Sequence, residues 1–329
     1  MADCATGAGY HARLYDSEGV SRAVAAEELG GLRVGDQQML WIDLEGADAT
    51  LPDGIWQACG LPAAARAFVE GGTSPEVGQQ GEYFWVRCVA VGDTGGGHTM
   101  SGCVLHCVAG PNRVVSIHPQ AIPFIEALRE QRNGEVPIGG LSSESFVATL
   151  LDRQLGTYFE AVSDYERAIE RLEVRILASR AHDCLPELQR LRRWASRMRR
   201  MLAPHRNVFG VMSRPDFRPT EGRSADRHFV ALDTRFERAM DMVENARELV
   251  LGSFELFSSQ TALTTNDTMR VLTFVTVITG LLATLVGALG MNFDASFFET
   301  QNTGFWWAVG GLALVTAVAL VLGRWRRWY

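Results

Sequence analysis

The sequence predicts an α+β cytosolic domain, a mixed sheet with helices, followed by long helices and a C-terminal hairpin of two transmembrane helices. Three observations support this prediction: strand-like runs between about residues 10 and 120, heptad repeats after about residue 142, and two uncharged apolar segments near the C-terminus. We place the α/β domain at 1–125, the helical region with its stalk helix at 126–265 and the membrane domain at 266–329.

Four segments of the first domain have the short, partly alternating pattern of β-strands. They are the runs at 39–44, 82–91, 101–109 and 113–118, and the last two are joined by a turn-forming Gly-Pro-Asn sequence. Residues 51–60 and 61–70 are predicted to be helical, with Pro52 and Pro62 near the helix starts. We therefore expect one sheet with helices beside it.

The pattern changes to helix from about Ser142. Apolar side chains recur there every seven residues, with a second apolar position between them, so one face of a long helix is apolar. The residues at these two positions are Leu155, Val162, Ile169 and Ile176, and Tyr158, Tyr165 and Leu172. A second helix is predicted from about residue 185 to residue 210.

Six arginines on this second helix allow two interpretations, a nucleic-acid patch or a solvated face. They are Arg190, Arg192, Arg193, Arg197, Arg199 and Arg200. We favour a solvated face that pairs with acids of the preceding helix, as antiparallel neighbours do. Those acids are Glu160, Asp164, Glu166, Glu170 and Glu173. The formal net charge of −7 also argues against binding to nucleic acid. No nucleic acid is expected among the partners.

The last cytosolic helix is predicted to continue into the membrane. Two prolines and a glycine within 212–222 end the preceding helix, and nothing between Asp226 and Gly290 forces a stop. Its heptad residues are Phe229, Phe236, Val243, Val250 and Phe257. A helix of about 60 residues spans roughly 90 Å, so we expect a rod that runs from the cytosol into the bilayer.

Two C-terminal segments are long and apolar enough to span a membrane. Nineteen uncharged residues occupy 271–289 and eighteen occupy 305–322, and a hydrocarbon layer of ~30 Å requires about 20 residues of helix. The alternative of two buried helices in a soluble core is disfavoured, because core helices rarely lack a polar face over so many turns. An external loop is placed at 290–304 and a basic tail at 323–329.

The flanking charges predict the orientation of the spans. Arg270 precedes the first span, three arginines follow the second, and the loop between them has no basic residue. The positive-inside rule therefore places both termini in the cytoplasm, in a protein of the inner (plasma) membrane. The first ten residues lack the basic start and apolar core of a signal peptide, so we expect the N-terminal part to stay in the cytosol.

The long helix ends in a recognisable sequence, NDTMRVLTFVTVITGLLATLVGALGMNF, at 266–293. It resembles the first transmembrane segment of the CorA metal-ion transporter family, whose Gly-Met-Asn motif corresponds here to Gly290, Met291 and Asn292. The runs at 41–44 and 114–118 resemble the N-terminal sheet of that family. The resemblance covers nearly the whole chain and implies a homopentameric funnel, in which the first spans line the pore and the second spans surround them.

The resemblance implies a divalent cation channel, with Mg²⁺ as the first expectation and Co²⁺ or Ni²⁺ as further ions. The external loop has neither the acidic signature of magnesium carriers nor the Gly-Gly-hydrophobic-Pro run of the ZntB zinc branch. Zn²⁺ transport therefore stays open, as does a non-conducting regulatory or scaffolding protein anchored in the membrane. The expected partners are other copies of the chain, membrane lipid and the transported cation, and no permanently bound cofactor is expected.

The first span has a face of small and hydroxyl-bearing residues that suits a pore. It consists of Thr273, Thr276, Gly280, Ala283 or Thr284, and Gly287, whereas Val275, Leu282, Val286 and Leu289 lie opposite. Such a stripe also serves helix packing without a pore. The resemblance adds Asn266, Met269, Leu272 and Thr273 as lining of the cytosolic end, where Met269 and Leu272 form an apolar constriction that gates by dewetting.

The external mouth is predicted to carry a ring of neutral amides. Mg²⁺ sheds its water reluctantly, and Asn292 carboxamides, one from each subunit, would accept hydrogen bonds from the hydration shell. A carboxylate ring would bind the ion more tightly and release it more slowly. Asp294 and Glu299 of the loop would concentrate cations outside the mouth.

Other candidate sites are less favoured. His98, Cys103, His106 and Cys107 have the chemistry of a zinc site, but in a strand Cys103 and Cys107 face one side and His106 the other. Asp233, Asp241 and Glu244 of the long helix are candidates for a regulatory metal, although each is more readily explained as a solvated charge. Scattered Ser, His and Asp residues form no recognisable catalytic set, so we expect no enzyme.

Overall fold

The computed structural model describes residues 9–18, 20–46, 53–92, 101–130, 138–178, 183–217, 219, 223–290 and 302–325. The chain divides into two compact units. The first unit comprises Met1–Leu172 and Pro186–Gly252, and the second comprises Glu173–Leu185 and Ser253–Tyr329. The predicted domain boundaries at residues 125 and 265 divide the chain by sequence pattern and stay predictions.

A seven-stranded mixed sheet forms the centre of the first unit, as predicted. Its strands are β1 (Gly9–Asp16), β2 (Ser21–Ala23), β3 (Gln38–Glu45), β4 (Glu76–Gln80), β5 (Tyr83–Gly92), β6 (Ser101–Gly110) and β7 (Arg113–His118), in the order β2-β1-β3-β7-β6-β5-β4. Strands β3 and β7 pair in parallel, and the other neighbours are antiparallel. In the turn between β6 and β7, Asn112 adopts a φ of 54°, a left-handed conformation that asparagine tolerates well.

Three of these strands were not predicted. Strand β4 is a polar edge strand whose sequence, EVGQQ, has no buried residue. Strand β2 has three residues, too few for a periodic pattern. Strand β1 buries Ala12 and Leu14 at alternate positions, but it contains few of the β-branched residues that mark strands in a sequence.

Side chains alternate between the two faces of the sheet, and different helices lie against each face. One face packs against the two predicted helices, α1 (Asp53–Ala58) and α2 (Ala63–Glu70), through a cluster that includes Leu40, Ile42, Ile117, Trp56 and Phe68. The other face carries the buried polar residues of β3 and β7 and is bordered by α3 (Pro123–Glu130). Strand β3 is therefore buried on both sides, which is unusual for a segment with a charged residue at its centre.

Five further helices follow along the chain. They are α4 (Ser143–Leu177), α5 (Leu185–Leu202), α6 (His205–Met212), α7 (Arg223–Leu289) and α8 (Asn302–Trp325). The predicted heptad face of α4 is confirmed, because all seven of its residues are buried. On α7, the first four predicted residues are buried and Phe257 is partly buried. The tyrosine ring of Tyr165 on α4 stacks on Trp194 of α5 with ring centroids 4.2 Å apart.

The prediction of one helix from about residue 185 to residue 210 was wrong. The chain forms α5 and α6 instead, with a turn at Ala203 and Pro204 between them. Proline has no N–H to donate and its ring clashes with the preceding helical turn, so the first helix ends before it. All six arginines of α5 are exposed, as predicted for a solvated face. Arg199, however, pairs at 3.3 Å with Glu244 of α7 and not with the acids of α4.

His205, the first residue of α6, connects this helix to the sheet. The backbone N–H of Val89 donates to its Nε2 at 2.9 Å, and its Nδ1 donates to the carbonyl of Leu202 at 3.1 Å. The ring is therefore neutral, and burial lowers its pKa to about 4. A proton on Nε2 would face the Val89 donor, so protonation breaks this contact.

His205 should make the first unit sensitive to acid. Because its folded pKa lies below the ordinary value of 6.5, its contribution to stability is present above pH 6.5 and is lost as the pH falls toward about 4. We expect the free energy of unfolding to fall by about 2–3 kcal/mol over this pH range. The fall should be smaller in His205→Gln, which lacks the titrating ring. Denaturation of both proteins in detergent between pH 7 and pH 4 measures this difference, and equal slopes would contradict the assignment.

Candidate functional site

Helices α7 and α8 contain the two segments that satisfy the length and composition of membrane spans. Both reach a mean hydropathy of 2.2, and their most apolar 18-residue windows are exposed almost throughout, with Phe274 at the margin of burial. Helices in the core of a soluble protein would be largely buried. The exposure of these windows therefore favours membrane spans over the soluble-core alternative.

One face of the apolar part of α7 is shielded within the subunit. Phe274 is buried, and Ile278 and Leu282 are partly buried, at intervals of four residues. Of the four residues predicted to lie opposite the pore, Leu282 belongs to this face, whereas Val275, Val286 and Leu289 are exposed. Helix α8 has a similar partly shielded stripe that includes Ala308, Leu312 and Thr316.

The predicted pore-lining residues occupy the unshielded side of α7. They are Asn266, Met269, Leu272, Thr273, Thr276, Gly280, Ala283 and Gly287, and all of them are exposed in the single subunit. At 3.6 residues per turn, the centre of this set lies about 180° around the helix from Phe274, Ile278 and Leu282. The structure thus brings the predicted residues onto one face, which is free to meet other copies of the chain.

The threonine hydroxyls on this helix are oriented by the backbone. Thr273 donates to the carbonyl of Met269 and Thr276 donates to that of Leu272, both at 2.8 Å, and Thr284 donates to Gly280 at 2.9 Å. Each hydroxyl proton therefore points back along the helix, and the oxygen lone pairs stay available as acceptors. Acceptor oxygens suit the hydrogen atoms of water that surrounds a cation.

The glycines of this face have no packing role within the subunit. A Cβ atom added at Gly280 or at Gly287 would meet no heavy atom within 4 Å. Glycine in a helix interior costs up to about 1 kcal/mol relative to alanine, so its presence here needs another reason. Close approach of another helix would supply one, because small residues let helices pack tightly in a membrane.

The face continues toward the N-terminal side of the predicted set. Ser258, Ala262 and Thr265 precede Met269 at the same alternating spacing of three and four residues. They line an apolar groove of about 740 Å³ together with Leu185, Phe254, Phe257, Thr261, Asn266 and Met269. Sequence reasoning missed these three residues, although the spacing that identified Thr276, Gly280 and Ala283 extends to them unchanged.

The predicted mouth lies mostly outside the described residues. Gly290 follows the end of α7 and donates its N–H to the carbonyl of Val286 at 3.0 Å. Met291, Asn292, Asp294 and Glu299 lie outside the described residues. Their roles at the entrance stay predictions from the sequence.

The cysteines and histidine of the alternative zinc site lie in strand β6. His106 packs edge-on against Phe68, and burial lowers its pKa to about 4. Cys103 and Cys107 are buried, and burial raises the pKa of both thiols, which keeps them protonated. A cysteine binds zinc as its thiolate, and the described residues contain no group of three or more His, Cys, Asp or Glu placed to hold a metal ion. His98 lies outside the described residues.

The acidic candidates for regulation are partly engaged in ion pairs. Glu244 lies 3.3 Å from Arg199 and 2.6 Å from Arg247. Asp241 is exposed and Asp233 is half-buried. Their surroundings agree with surface charges on an amphipathic helix.

Comparisons with known proteins match this architecture over most of its length. The profile of the family described as CorA-like Mg²⁺ transporter protein matches residues 36–324. A cobalt/magnesium transport protein CorA from Thermotoga maritima is 23% identical over 180 residues, which are 55% of this chain and 51% of that protein. The chain thus spans about half the length of that relative in the alignment.

Two further similarities extend over nearly the full length. The divalent cation transporter CmaX from Pseudomonas aeruginosa is 23% identical over 306 residues, 91% of each chain. The complete structure of the CorA magnesium transporter from Methanocaldococcus jannaschii aligns with a TM-score of 0.72 at 18% identity, over 95% of this chain and 97% of that one. Its fold agrees with the predicted α+β domain, long helices and C-terminal helix pair. The chain therefore belongs to the CorA-like Mg²⁺ transporter family and is a membrane protein.

Proposed function

We propose that this chain is one subunit of an oligomeric channel that conducts divalent cations across the inner membrane, with Mg²⁺ as the preferred ion and Co²⁺ or Ni²⁺ as further ions. The observation that supports this proposal best is the unshielded face of α7, where small residues and oriented hydroxyl groups lie opposite the face that is shielded within the subunit. The names of the relatives from Thermotoga maritima and Pseudomonas aeruginosa supply the class of ion.

The proposal requires several copies of the chain. Two helices cannot enclose an aqueous passage, and a bilayer does not tolerate a polar lining that faces lipid. We propose a ring of identical subunits, five by resemblance to the family, with both termini in the cytoplasm. The α7 helices face a shared axis and the α8 helices surround them.

Hydrated ions pass along the α7 face without losing their inner water. Mg²⁺ keeps several water ligands in most protein sites because it dehydrates reluctantly. The lone pairs of Thr273 and Thr276 accept hydrogen bonds from this water, while Gly280 and Gly287 leave room for it. Neutral acceptors bind the ion weakly enough to let it leave.

Met269 and Leu272 form the constriction at the cytosolic end. Both side chains are more than half exposed in the single subunit, with 56% and 58% of their surface accessible. Rings of such residues around a shared axis exclude water when they close, which stops ions without a bulky plug. Asn266, one turn earlier, supplies a neutral amide at the same end.

Reconstituted flux tests the proposed function. The full chain in liposomes should admit Mg²⁺ when the ion is added outside, as reported by an entrapped Mg²⁺-sensitive dye. Flux of Zn²⁺ without Mg²⁺ would favour zinc transport. This alternative is open because the external loop lacks the acidic signature of magnesium carriers. Protein that inserts and assembles but passes no divalent ion would favour the scaffolding alternative and contradict the proposal.

Asn292→Ala tests the amide ring at the mouth. The variant loses the acceptors that hold the hydration shell, so we expect Mg²⁺ flux to fall by at least about fivefold while the assembly stays intact. Asn292→Asp should instead retain Mg²⁺ longer and conduct more slowly at high Mg²⁺ concentrations. Ser296→Ala, in the same loop, serves as the control, and unaltered flux in Asn292→Ala would remove the ring from the mechanism.

A further inference from the structure

A cavity of about 640 Å³ lies in the first unit between strands β1 and β3 and helix α3, and the proposed conduction makes no use of it. It is lined by His11, Arg13, Trp41, Asp43, Glu45, Glu126, Arg129 and Glu130. Asp43 and Glu45 lie near the carboxyl end of β3, which pairs in parallel with β7. Ligands of sheets with parallel strands commonly bind beyond the carboxyl ends of those strands.

The floor of the cavity is a buried network around Asp43. The hydroxyl of Ser116 donates to the Asp43 carboxylate, and Nε2 of His118 lies 3.2 Å from the same oxygen. The Nδ1 of His118 lies 2.7 Å from the carbonyl of Gln120, so both ring nitrogens need protons and the ring is an imidazolium. Arg129 lies 3.4 Å from Asp43 and 2.8 Å from Glu45. These four charges neutralise one another.

The remaining charges of the cavity lie on two different walls. On the β1 wall, Arg13 donates to the hydroxyl of Ser21 at 3.3 Å and has no ion pair among the described residues. On the α3 wall, Glu126 and Glu130 lie one helical turn apart; Glu126 is 3.9 Å from Arg129, and Glu130 has no ion pair in the described part of the chain. The cavity lining therefore carries a cation without an ion pair on β1 and two carboxylates on α3.

A further buried polar group lies on the same strand as Arg13, outside the residues that line the cavity. Tyr15 is only 5% exposed, and its hydroxyl has no hydrogen-bond partner among the described residues. Burial raises the pKa of this phenol, and the charges of Arg13 and Asp43 act on it in opposite directions. A buried hydroxyl without a partner costs about 1–3 kcal/mol.

We propose that this cavity binds a small zwitterion, whose ammonium group is held by Glu126 and Glu130 and whose carboxylate is held by Arg13. The separation of charge on the two walls excludes the simpler ligands. A free anion would be repelled by the carboxylates of α3, and a simple cation would leave Arg13 without a partner. A directly coordinated metal ion is disfavoured because the described residues offer no cluster of three ligands.

Matched probes of one chain length test the charge pattern. The full chain in detergent micelles is titrated calorimetrically with 6-aminohexanoate, hexylamine and hexanoate, and with the shorter zwitterions glycine and 4-aminobutanoate. We expect one zwitterion to bind at least about tenfold more tightly than either singly charged probe, because two charge-assisted contacts form instead of one. The chain length of the zwitterion that binds most tightly reports the distance between Arg13 and the carboxylates of α3.

Two substitutions test the charged residues of the cavity, and two control substitutions make the same chemical change outside it. Arg13→Gln and Glu130→Gln should each remove the preference for the zwitterion, whereas Arg22→Gln on β2 and Glu82→Gln beyond β4 should retain it. No binding of any zwitterion, equal binding of hexylamine, or binding that persists in both cavity variants would overturn the proposal. Ion flux is not part of this measurement, so its outcome is independent of the proposed conduction.

Discussion

Gly280→Leu should abolish most of the divalent cation flux while leaving the subunit folded. A side chain added at this position meets no heavy atom within 4 Å in the subunit, so its isobutyl group extends into the space that the α7 helices share. Several copies around one axis would fill a passage wide enough for a hydrated ion. We expect flux in liposomes to fall by at least about tenfold, because a hydrophobic constriction of this kind excludes water.

Gly310→Leu on α8 is the matched control for this substitution. An added Cβ at Gly310 also meets no heavy atom within 4 Å, and this glycine lies about 180° around α8 from the shielded stripe. The leucine should therefore face lipid and leave the flux within about twofold of the unmodified channel. Equal loss of flux in both variants, with intact assemblies, would mean that the α7 face does not line the passage.

Asp43→Asn should produce the largest loss of stability in the first unit. Asp43 is 1% exposed and accepts hydrogen bonds from Ser116 and His118 while it faces Arg129. Removing one member of a buried ionic network costs about 3–5 kcal/mol, because the remaining charges keep their desolvation penalty. We expect the melting temperature of the detergent-solubilised chain to fall by roughly 6 °C or more.

The pH dependence separates this ionic effect from a simple change of packing. Burial alone would lower the pKa of His118, but the hydrogen bond and charge of Asp43, with Gln120 and Glu45, raise it above 6.5. Its contribution to stability is therefore complete below pH 6.5 and is lost as the pH rises through the raised pKa. Asp43→Asn should lack this loss, and Glu126→Gln, an exposed control, should match the unmodified chain within about 0.5 kcal/mol. A variant that keeps the normal slope would contradict the assignment.

The sequence predicted those parts of the structure that depend on local pattern. The heptads of α4 and α7 and the four apolar strands arise from periodicity, and the structure confirms them. The pore-lining set also follows from local spacing, and the structure places all eight residues on one side of α7. Their role in conduction stays a prediction, as does the role of Asn292.

Features that depend on distant residues were not predicted. Asp43 and His118 are separated by 75 positions, and the parallel pairing of β3 with β7 brings them together. A signal was nevertheless present, because an aspartate at the centre of an apolar strand needs a buried partner, and His118 ends another apolar strand. The break at Pro204 was missed although a proline is itself a local signal for the end of a helix, because the apolar pattern continues across it.

The burial of the five cysteines that the structure describes makes the chain suitable for chemical mapping. Cys59, Cys88, Cys103, Cys107 and Cys184 are all buried, and burial raises the pKa of the first four, so few thiolates are available to a water-soluble maleimide. Once Cys4 is replaced by serine, cysteines introduced singly at residues 258–287 can be labelled in the otherwise native protein. The labelling rates along this stretch would then report directly which positions contact water.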